Sequence, residues 1–301
     1  MRKLFIILLT FFIFLTFYII FIDNITFYNS LLDTLNIWLY KVLPSLFVFN
    51  ILSSILINFK IIDFFYFLFT PLKKILKFET DEAFNIFITS IFNGNPSTIL
   101  LINQRLDNNL ITIKDANCLL KCASFLNPLF IYSFFSKKIA LILIFSHILS
   151  NFIYATYINR NNKIISKNRE SDLLFNIDLF FKSIEKVISV LLLIASLMLV
   201  TTIIKYTFNY LLSLININKS FYKIILSFIE ISSGLSDLSS INIPVIYLII
   251  LSSFLTSFNG LCIHLQIKLF LSKNLSYTSF FYSRIVQGII SVLLSIIFYF
   301  I

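Results

Sequence analysis

AFNIFITSIFNGNPSTILL, residues 83–101, would be a membrane-crossing helix but for the interruption at Phe92-Asn93-Gly94-Asn95-Pro96. The chain has only four glycines and five prolines, so Gly94 and Pro96 this close together predict a break in the helix. Unwound backbone at membrane depth is tolerated only where it lines a cavity or is buried in protein, and paired breaks mark the substrate site of secondary transporters. This break is therefore the first candidate site.

Phe-Asn-Gly occurs a second time, at Phe258-Asn259-Gly260. Gly260 follows Gly94 by 166 residues (260 − 94), and Asn274-Leu275 follows Asn109-Leu110 by 165 residues (274 − 109). We predict that the chain contains an internal repeat, as many transporters do. Chance is the alternative, because identities of two or three residues arise easily in a chain with so biased a composition.

Composition places this chain in a membrane. Of its 301 residues 58% are hydrophobic and 13% are charged, and 37 are phenylalanine, which leaves too little polar surface to cover a soluble globule. Several apolar runs approach the roughly 17–25 residues that cross a bilayer as a helix. They are Leu4–Ile22, Ile139–Ile158, Val187–Ile204, Ile243–Phe258 and Ile285–Ile301. We predict an all-α, polytopic integral membrane helical bundle with two inverted-repeat-like halves and broken or re-entrant helices.

The net charge of +10 reflects membrane topology and not nucleic-acid binding, because the basic residues lie in short clusters between apolar runs. The polar stretch Arg160–Asp172 is strongly basic, which predicts that it faces the cytoplasm. The first segment lacks a small-residue cleavage site, so we interpret it as an uncleaved anchor. The predicted organisation is an anchor over residues 1–30, a first half over 31–159, a linker over 160–172 and a second half over 173–301.

Glu230 is the acidic residue of greatest interest, because it lies in the otherwise apolar segment Phe221–Leu238. If the segment is one helix, Glu230, Gly234 and Asp237 share a face. An acidic side chain at the bilayer centre costs about 2.5–3.5 kcal/mol on insertion scales, so Glu230 should face a polar cavity, an ion or a ligand. The alternative is a surface helix whose acidic face meets water.

Polar amides mark further candidate positions. Asn259 and Gln266 are seven residues apart and share a helix face, where they would recognise uncharged polar groups or bond neighbouring helices. Asn127-Pro128 predicts another break, and we interpret His147 as a packing hydrogen-bond partner. The sequence shows no assembled catalytic or metal-binding motif, so we expect no enzyme activity, no cofactor and no metal site.

The chain carries six short motifs in a fixed order that extends over most of its length. They are Trp38 with Pro44-Ser45-Leu46-Phe47-Val48-Phe49, Phe92-Asn93-Gly94-Asn95-Pro96, Ser124-Phe125-Leu126-Asn127-Pro128-Leu129-Phe130, His147-Ile148-Leu149-Ser150-Asn151, Glu230-Ile231-Ser232-Ser233-Gly234, and Ser257-Phe258-Asn259-Gly260 with His264 and Gln266. This series resembles the YlbJ-type sporulation integral membrane proteins, a bacterial family that contains the nucleoside-recognition or Gate domain. Asn95 and Asn259 depart from the family pattern, which has tyrosine and glycine there.

The resemblance implies two Gate-like halves and a role in endospore formation, in the forespore or mother-cell membrane. More distantly, the chain is similar to the core of concentrative nucleoside transporters. We expect a carrier of a small polar solute, coupled to H⁺ or Na⁺, in which helix N-termini after both Asn-Gly breaks offer free amides to a polar or anionic solute. The expected binding residues are Asn93, Gly94, Asn95, Pro96, Asn127, Glu230, Gly234, Asn259, Gly260 and Gln266.

Two further expectations concern partners. Besides the lipid bilayer, the solute and the ion, a second copy of the chain in a homo-oligomer is an open option. The rival function is a non-transporting membrane scaffold for spore envelope assembly. It predicts that the amphipathic connector Thr112–Lys121 matters more than the polar residues at the breaks.

Overall fold

A computed structural model describes residues 2–58, 66–162, 177–215 and 218–301, and all regular secondary structure in these ranges is helical. A π-helical turn at Trp38–Val42 joins the second and third helices. The helices are α1 (Arg2–Ile22), α2 (Asn24–Ile37), α3 (Leu43–Asn58), α4 (Tyr66–Leu76), α5 (Asp81–Asn93), α6 (Ser97–Asp107), α7 (Ile113–Cys122), α8 (Pro128–Tyr132), α9 (Lys137–Asn159), α10 (Ile177–Ser213), α11 (Lys219–Ser227), α12 (Ile231–Ser240), α13 (Val245–Phe258), α14 (Gly260–Phe270) and α15 (Tyr277–Phe300).

Five helical stretches are long and apolar enough to cross a membrane. They are Asn24–Ser53, Lys137–Asn159, Phe180–Ser213, Val245–Phe270 and Tyr277–Phe300. The prediction of an all-α fold is therefore confirmed, and the five stretches have the length and composition expected of a multi-pass membrane protein, whereas the two inverted-repeat-like halves stay a prediction. Of the predicted linker Arg160–Asp172, residues 163–172 lie outside the described residues.

Two pairs of short helices fold back on themselves as hairpins. In the first, the outer ends of α5 and α6 are joined by an ion pair between Glu82 Oε1 and Arg105 Nε at 3.0 Å, and the tip spans residues 94–96. In the second, α11 and α12 pack together and the tip spans residues 228–230. The predicted break within residues 83–101 is confirmed. The expectation of one helix over Phe221–Leu238 is wrong, because the chain turns at Glu230.

Helix α10 carries two lysines whose separation matches the thickness of a bilayer. Lys186, in its first part, donates a hydrogen bond to Gln104 Oε1 at 3.0 Å, and Lys205, near its other end, pairs with Asp237 Oδ2 at 2.6 Å. These lysines are 19 residues apart (205 − 186), or about 28 Å at 1.5 Å per residue. That length is close to the roughly 30 Å hydrocarbon core of a bilayer. We call the side that contains Lys186 the basic end, because Lys77 and Arg160 also meet there.

The long helices α9, α13 and α15 contact one another through small hydroxyl side chains. Ser253 Oγ lies 2.9 Å from Ser291 Oγ, which lies 3.4 Å from Ser146 Oγ. Small polar residues let membrane helices approach closely and bond across their interface. These three helices therefore form a close-packed support for the shorter, interrupted helices.

The predicted amphipathic connector Thr112–Lys121 is a helix, α7, and one of its faces is buried. Its Asp115 is fully buried, and its carboxylate accepts hydrogen bonds from Glu79 N at 2.9 Å, from Thr80 N at 2.9 Å and from Thr80 Oγ1 at 2.6 Å. Burial raises the pKa of the Asp115 carboxyl, and the hydrogen bonds from Thr80 and Glu79 oppose that rise. Asp115 thus anchors the start of α5 to α7.

Asp115→Ala is expected to lower the stability of the protein in detergent. The change leaves the amides of Glu79 and Thr80 without an acceptor, at a cost of about 1–3 kcal/mol for each buried group. Thermal melting followed by size-exclusion chromatography measures the effect. Asp107→Ala, which removes an exposed carboxylate from the nearby helix α6, is the control and should melt like the wild type. Equal melting temperatures for both variants would contradict the anchoring role of Asp115.

Candidate functional site

Four interruptions of the helices converge on one buried cavity, which we call the central cavity. They are the tips at residues 94–96 and 228–230, the extended segment 123–127 between α7 and α8, and the break at Asn259 between α13 and α14. The polar residues that line the cavity from these segments and from the helices next to them are Asn95, Asn127, Glu230, Ser232, Cys262 and Gln266.

The central cavity is small and lies deep in the bundle. The centres of water molecules can occupy about 40 Å³ of it, and one water needs about 10–15 Å³ by this measure, so it has room for about three waters. Ile194 and Met198 of α10 line it. They lie about 12 and 18 Å along the helix from Lys186, which is close to halfway between the two ends.

Ser124 joins the two Asn-Gly breaks. Asn95 Nδ2 and Asn259 Nδ2 both donate to Ser124 Oγ, the latter at 2.7 Å. Asn259 has a left-handed backbone with φ of +81°, which is uncommon for a residue other than glycine and aims its side chain across the bundle. The breaks at Gly94 and Gly260 are therefore in contact through one hydroxyl group.

The two breaks do not occupy equivalent positions. Asn93-Gly94 begins the tip of a hairpin, whereas Asn259-Gly260 interrupts a stretch that continues as one candidate span over Val245–Phe270. The shared tripeptide therefore does not mark matching points of two structural halves.

Backbone hydrogen bonds join the second hairpin tip to the break in α13 and α14. Leu261 N donates to Phe228 O at 2.7 Å, and Cys262 N donates to Ile229 O at 3.1 Å. Gly260 allows this approach, because its φ is +62° and a Cβ there would lie 3.3 Å from Phe228 O. The expectation that the helix after Asn259-Gly260 offers these amides to a solute is wrong, since Leu261 and Cys262 use them within the protein.

Glu230 is fully buried and caps helix α12. Its Oε1 accepts a hydrogen bond from Ser232 N at 2.9 Å and its Oε2 accepts one from Ser233 N at 2.5 Å. A carboxylate is stabilised at a helix N-terminus by these bonds and by the helix dipole. The surface-helix alternative is therefore wrong for Glu230. Asp237, predicted on the same face as Glu230, pairs with Lys205 and does not line the central cavity.

A second, larger cavity lies beyond the first turn of α12, and we call it the vestibule. Its volume for water centres is about 880 Å³, and Asp33, Lys205, Tyr206, Ser233 and Asp237 are among the polar residues that line it. Lys205 Nζ donates to Ser233 Oγ at 2.7 Å as well as to Asp237. Because Ser232 lines the central cavity and its neighbour Ser233 lines the vestibule, one helical turn separates the two spaces.

His147 of α9 holds two of the interrupted segments together. Its Nε2 accepts a hydrogen bond from Leu126 N at 2.9 Å, so the ring proton must be on Nδ1, which donates to Ser257 Oγ at 3.0 Å. The ring is thus a neutral bridge between segment 123–127 and the end of α13. The interpretation of His147 as a packing residue is confirmed.

Sequence reasoning missed Arg284 of α15, which is fully buried. Its guanidinium donates to the carbonyl oxygens of Lys121 and Ser124, the latter at 2.9 Å, and more weakly to Asn151 Oδ1 at 3.4 Å. No carboxylate of the described residues forms an ion pair with it. Its charge is instead compensated by the negative C-terminal end of α7. An arginine inside an apolar helix was the signal that could have found it.

The remaining predicted residues have mainly structural contacts. Gly94 lines the central cavity with Asn95, and Pro96 completes the tip. Asn127 caps α8 and donates to Phe92 O at 2.7 Å. Asn93 is buried, and its Oδ1 has no hydrogen-bond partner. Gln266 lines the cavity, and its Oε1 is likewise buried without a partner.

Gly234 lies where the two helices of the second hairpin approach most closely. A Cβ at this position would lie 2.4 Å from Ser227 O and 2.8 Å from Ser227 Cα, so backbone atoms would have to move. We expect Gly234→Ala to separate α11 from α12 and lower the melting temperature by several degrees. Ser239→Ala, an exposed position of the same helix, is the control. A Gly234→Ala protein that melts like the control would contradict the close approach.

The described residues do not bring together the side chains that usually hold a divalent or transition metal. No group of three or more His, Cys, Asp or Glu side chains comes together among them as a metal site. Cys118, Cys122 and Cys262 are free and buried. Burial raises the pKa of Cys118 to about 11, so this thiol is protonated at neutral pH.

Comparison with known proteins gives no relative. No family profile, no curated protein and no solved structure matches this chain. The resemblance to the YlbJ-type family therefore stays a hypothesis that rests on the six sequence motifs.

Proposed function

We propose that this protein is a carrier of a small polar solute across a bacterial membrane, of the YlbJ type and active in sporulation. One observation supports it above all. Four helix interruptions meet at a buried cavity, about halfway along α10 between Lys186 and Lys205, that is lined by the carboxylate of Glu230. Interrupted helices and a buried acidic residue cost free energy in a membrane protein, and carriers use both to build a binding site.

The order of helices supports an internal repeat in a new register. A hairpin (α5–α6), an interrupted helix (α7–α8) and a long helix (α9) are followed by a second hairpin (α11–α12), a second interrupted helix (α13–α14) and a second long helix (α15). The starts of corresponding elements differ by between 132 (245 − 113) and 140 (277 − 137) residues. We propose inverted halves in this register, in place of the 166-residue offset.

In this proposal the vestibule is the route of the solute to the central cavity. The wall between them is the first turn of α12, which Glu230 caps from one side and Lys205 holds from the other. The central cavity has room for about three waters, so the solute needs more space than this structure provides there. Movement of this turn would open the cavity towards the vestibule.

The scaffold alternative makes a different prediction for the connector α7. It would use the outer face of α7, where Ile113 and Lys114 are exposed, because Asp115, Ala116, Cys118, Leu119, Leu120 and Cys122 are buried inside the protein. Substitutions at Ile113 and Lys114 should therefore impair function if the protein is a scaffold and leave it unchanged if the protein is a carrier.

Reconstituted vesicles test the carrier proposal. Vesicles that contain the protein are loaded with a defined mixture of amino acids, nucleosides and sugars, and each solute is quantified outside by mass spectrometry over time. We expect at least one solute to leave faster than from protein-free vesicles. Release at the protein-free rate for every class of solute would overturn the proposal in favour of the scaffold.

A further inference from the structure

We infer that the central cavity binds a small monovalent cation, with Glu230 as its charge partner and Gln266 Oε1 as an oxygen ligand. The role of this cation in transport rests on the proposed function. Its binding does not, because it follows from the charges and unpaired atoms of the cavity itself.

The first step concerns charge. Glu230 is fully buried, and no Lys, Arg or His of the described residues forms an ion pair with it. Each of its oxygens accepts one backbone N–H, although an ionised carboxylate offers about four acceptor positions. A carboxylate in an apolar interior is stable only when its charge is compensated. Two backbone amides and the N-terminal end of α12 compensate the negative charge of Glu230 in part. A cation in the cavity would complete this compensation.

The second step concerns an unpaired oxygen. Gln266 is 3% exposed and lines the same cavity, and its Oε1 has no hydrogen-bond donor. Its amide nitrogen is directed to Cys262 Sγ at 3.6 Å, a contact with a weak acceptor. A buried acceptor without a partner costs about 1–3 kcal/mol, so the position of this oxygen calls for a donor or a cation in the cavity.

The third step excludes an anion. The amides of Ser232 and Ser233 are capped by Glu230, and those of Leu261 and Cys262 are bonded to the hairpin tip. Arg284 directs its donors to carbonyl oxygens and does not line the cavity. An anion would therefore meet the carboxylate of Glu230 without the amides of α12 and α14 that could offset the repulsion.

The fourth step concerns size. A cavity with room for about three waters accepts Na⁺, K⁺ or NH₄⁺ together with some of its water. It is too small for an organic cation such as N-methyl-D-glucamine. The oxygen atoms of the cavity could coordinate Na⁺ or K⁺, and they could equally accept hydrogen bonds from NH₄⁺. Separate measurements with alkali salts and with ammonium salts therefore identify which cation binds.

Thermal melting of the purified protein tests this inference. The melting temperature is measured in detergent against increasing NaCl, KCl or NH₄Cl, with N-methyl-D-glucamine chloride holding the ionic strength constant. The single tryptophan, Trp38, gives a second signal by fluorescence, because it donates to Leu191 O of α10, one turn before Ile194 of the cavity wall. We expect a saturable rise in melting temperature with at least one small cation.

Four variants locate the site. Glu230→Gln should abolish the cation-dependent shift, and Gln266→Leu should weaken the apparent affinity at least tenfold. Glu185→Gln, which removes an exposed carboxylate from α10, should leave the shift unchanged. Since Glu230→Gln also alters a helix cap, Glu230→Asp is tested beside it and should retain a weaker, saturable shift.

Several outcomes would overturn the inference. They are equal melting temperatures in all the salts, a shift that depends on chloride and is lost in gluconate, and a shift that persists in Glu230→Gln. The carrier proposal fails separately. A cation-dependent shift without solute flux in vesicles rejects the carrier and keeps the cation site, whereas flux without any cation response rejects the cation site alone.

Discussion

Glu230→Gln is expected to abolish solute flux from reconstituted vesicles while the protein remains folded and inserted. Glutamine keeps the size of the side chain and one carbonyl oxygen, so one of the two amide hydrogen bonds at the start of α12 can persist. Loss of a helix cap costs about 0.5–2 kcal/mol, which is small beside the roughly 5–15 kcal/mol of a typical folded domain. The negative charge in the central cavity is lost completely. A cationic or proton-donating occupant would then have no charge partner there.

Initial rates of efflux and the elution profile of the detergent-purified protein measure the two effects separately. Glu185→Gln is the matched control, because it makes the same chemical change at an exposed position and should transport at the wild-type rate. A Glu230→Gln protein with normal flux would reject the assignment of this residue to the solute path. Aggregation of Glu230→Gln together with full activity of Glu230→Asp would instead assign the effect to the cap.

Arg284→Gln is expected to cause the largest loss of stability of any single substitution considered for this chain. The arginine supplies donors to the carbonyl oxygens of Lys121 and Ser124, and a shorter amide cannot reach both. Each buried group left unpaired costs about 1–3 kcal/mol. Removal of the cation also leaves the C-terminal end of α7 without its charge partner. Together these losses approach the whole stability of a marginal membrane protein.

The yield of monodisperse protein and its melting temperature report this change. Arg105→Gln is the control, since Arg105 forms an ion pair near the open end of the first hairpin, and such partly exposed pairs contribute about 0–1 kcal/mol. Arg284→Lys keeps the charge but not the forked geometry, so it should fall between the two. An Arg284→Gln protein as stable as Arg105→Gln would show that the buried arginine is not needed to hold segment 123–127.

Four of the five candidate spans and the first break could be predicted because their signals are local. The span Asn24–Ser53 is not among the predicted runs, and the predicted run Leu4–Ile22 is a shorter apolar helix. The run Ile139–Ile158 is bounded by charged and polar residues, and the structure places α9 over Lys137–Asn159. Gly94 has a φ of +65°, a conformation that glycine adopts without strain, so a glycine near a proline identified the tip correctly.

The break at residues 228–230 could not be predicted, because Phe228-Ile229-Glu230 contains neither glycine nor proline. The turn is stabilised by bonds with Leu261 and Cys262, which are distant in sequence, and by the cap that Glu230 itself provides. The helix propensities of these residues favour a continuous helix, but tertiary contacts stabilise a turn at this position.

The position of Arg284 inside a helix could not be predicted from the local sequence either. The predicted apolar run begins at Ile285, because a charge ordinarily marks the end of a span. In the structure α15 begins at Tyr277, so Arg284 lies inside the helix. Its partners, Lys121 and Ser124, are about half the chain away, and nothing in the local sequence indicates that they are there.

The two backbone bonds between the second hairpin tip and α14 have a mechanical consequence. Phe228 and Ile229 are bonded to Leu261 and Cys262 through main-chain atoms, so side-chain substitutions do not directly remove these hydrogen bonds. We therefore expect the turn with Glu230 and the start of α14 to move together. A pair of spectroscopic labels on these two segments would report a constant separation even while both shift against α10.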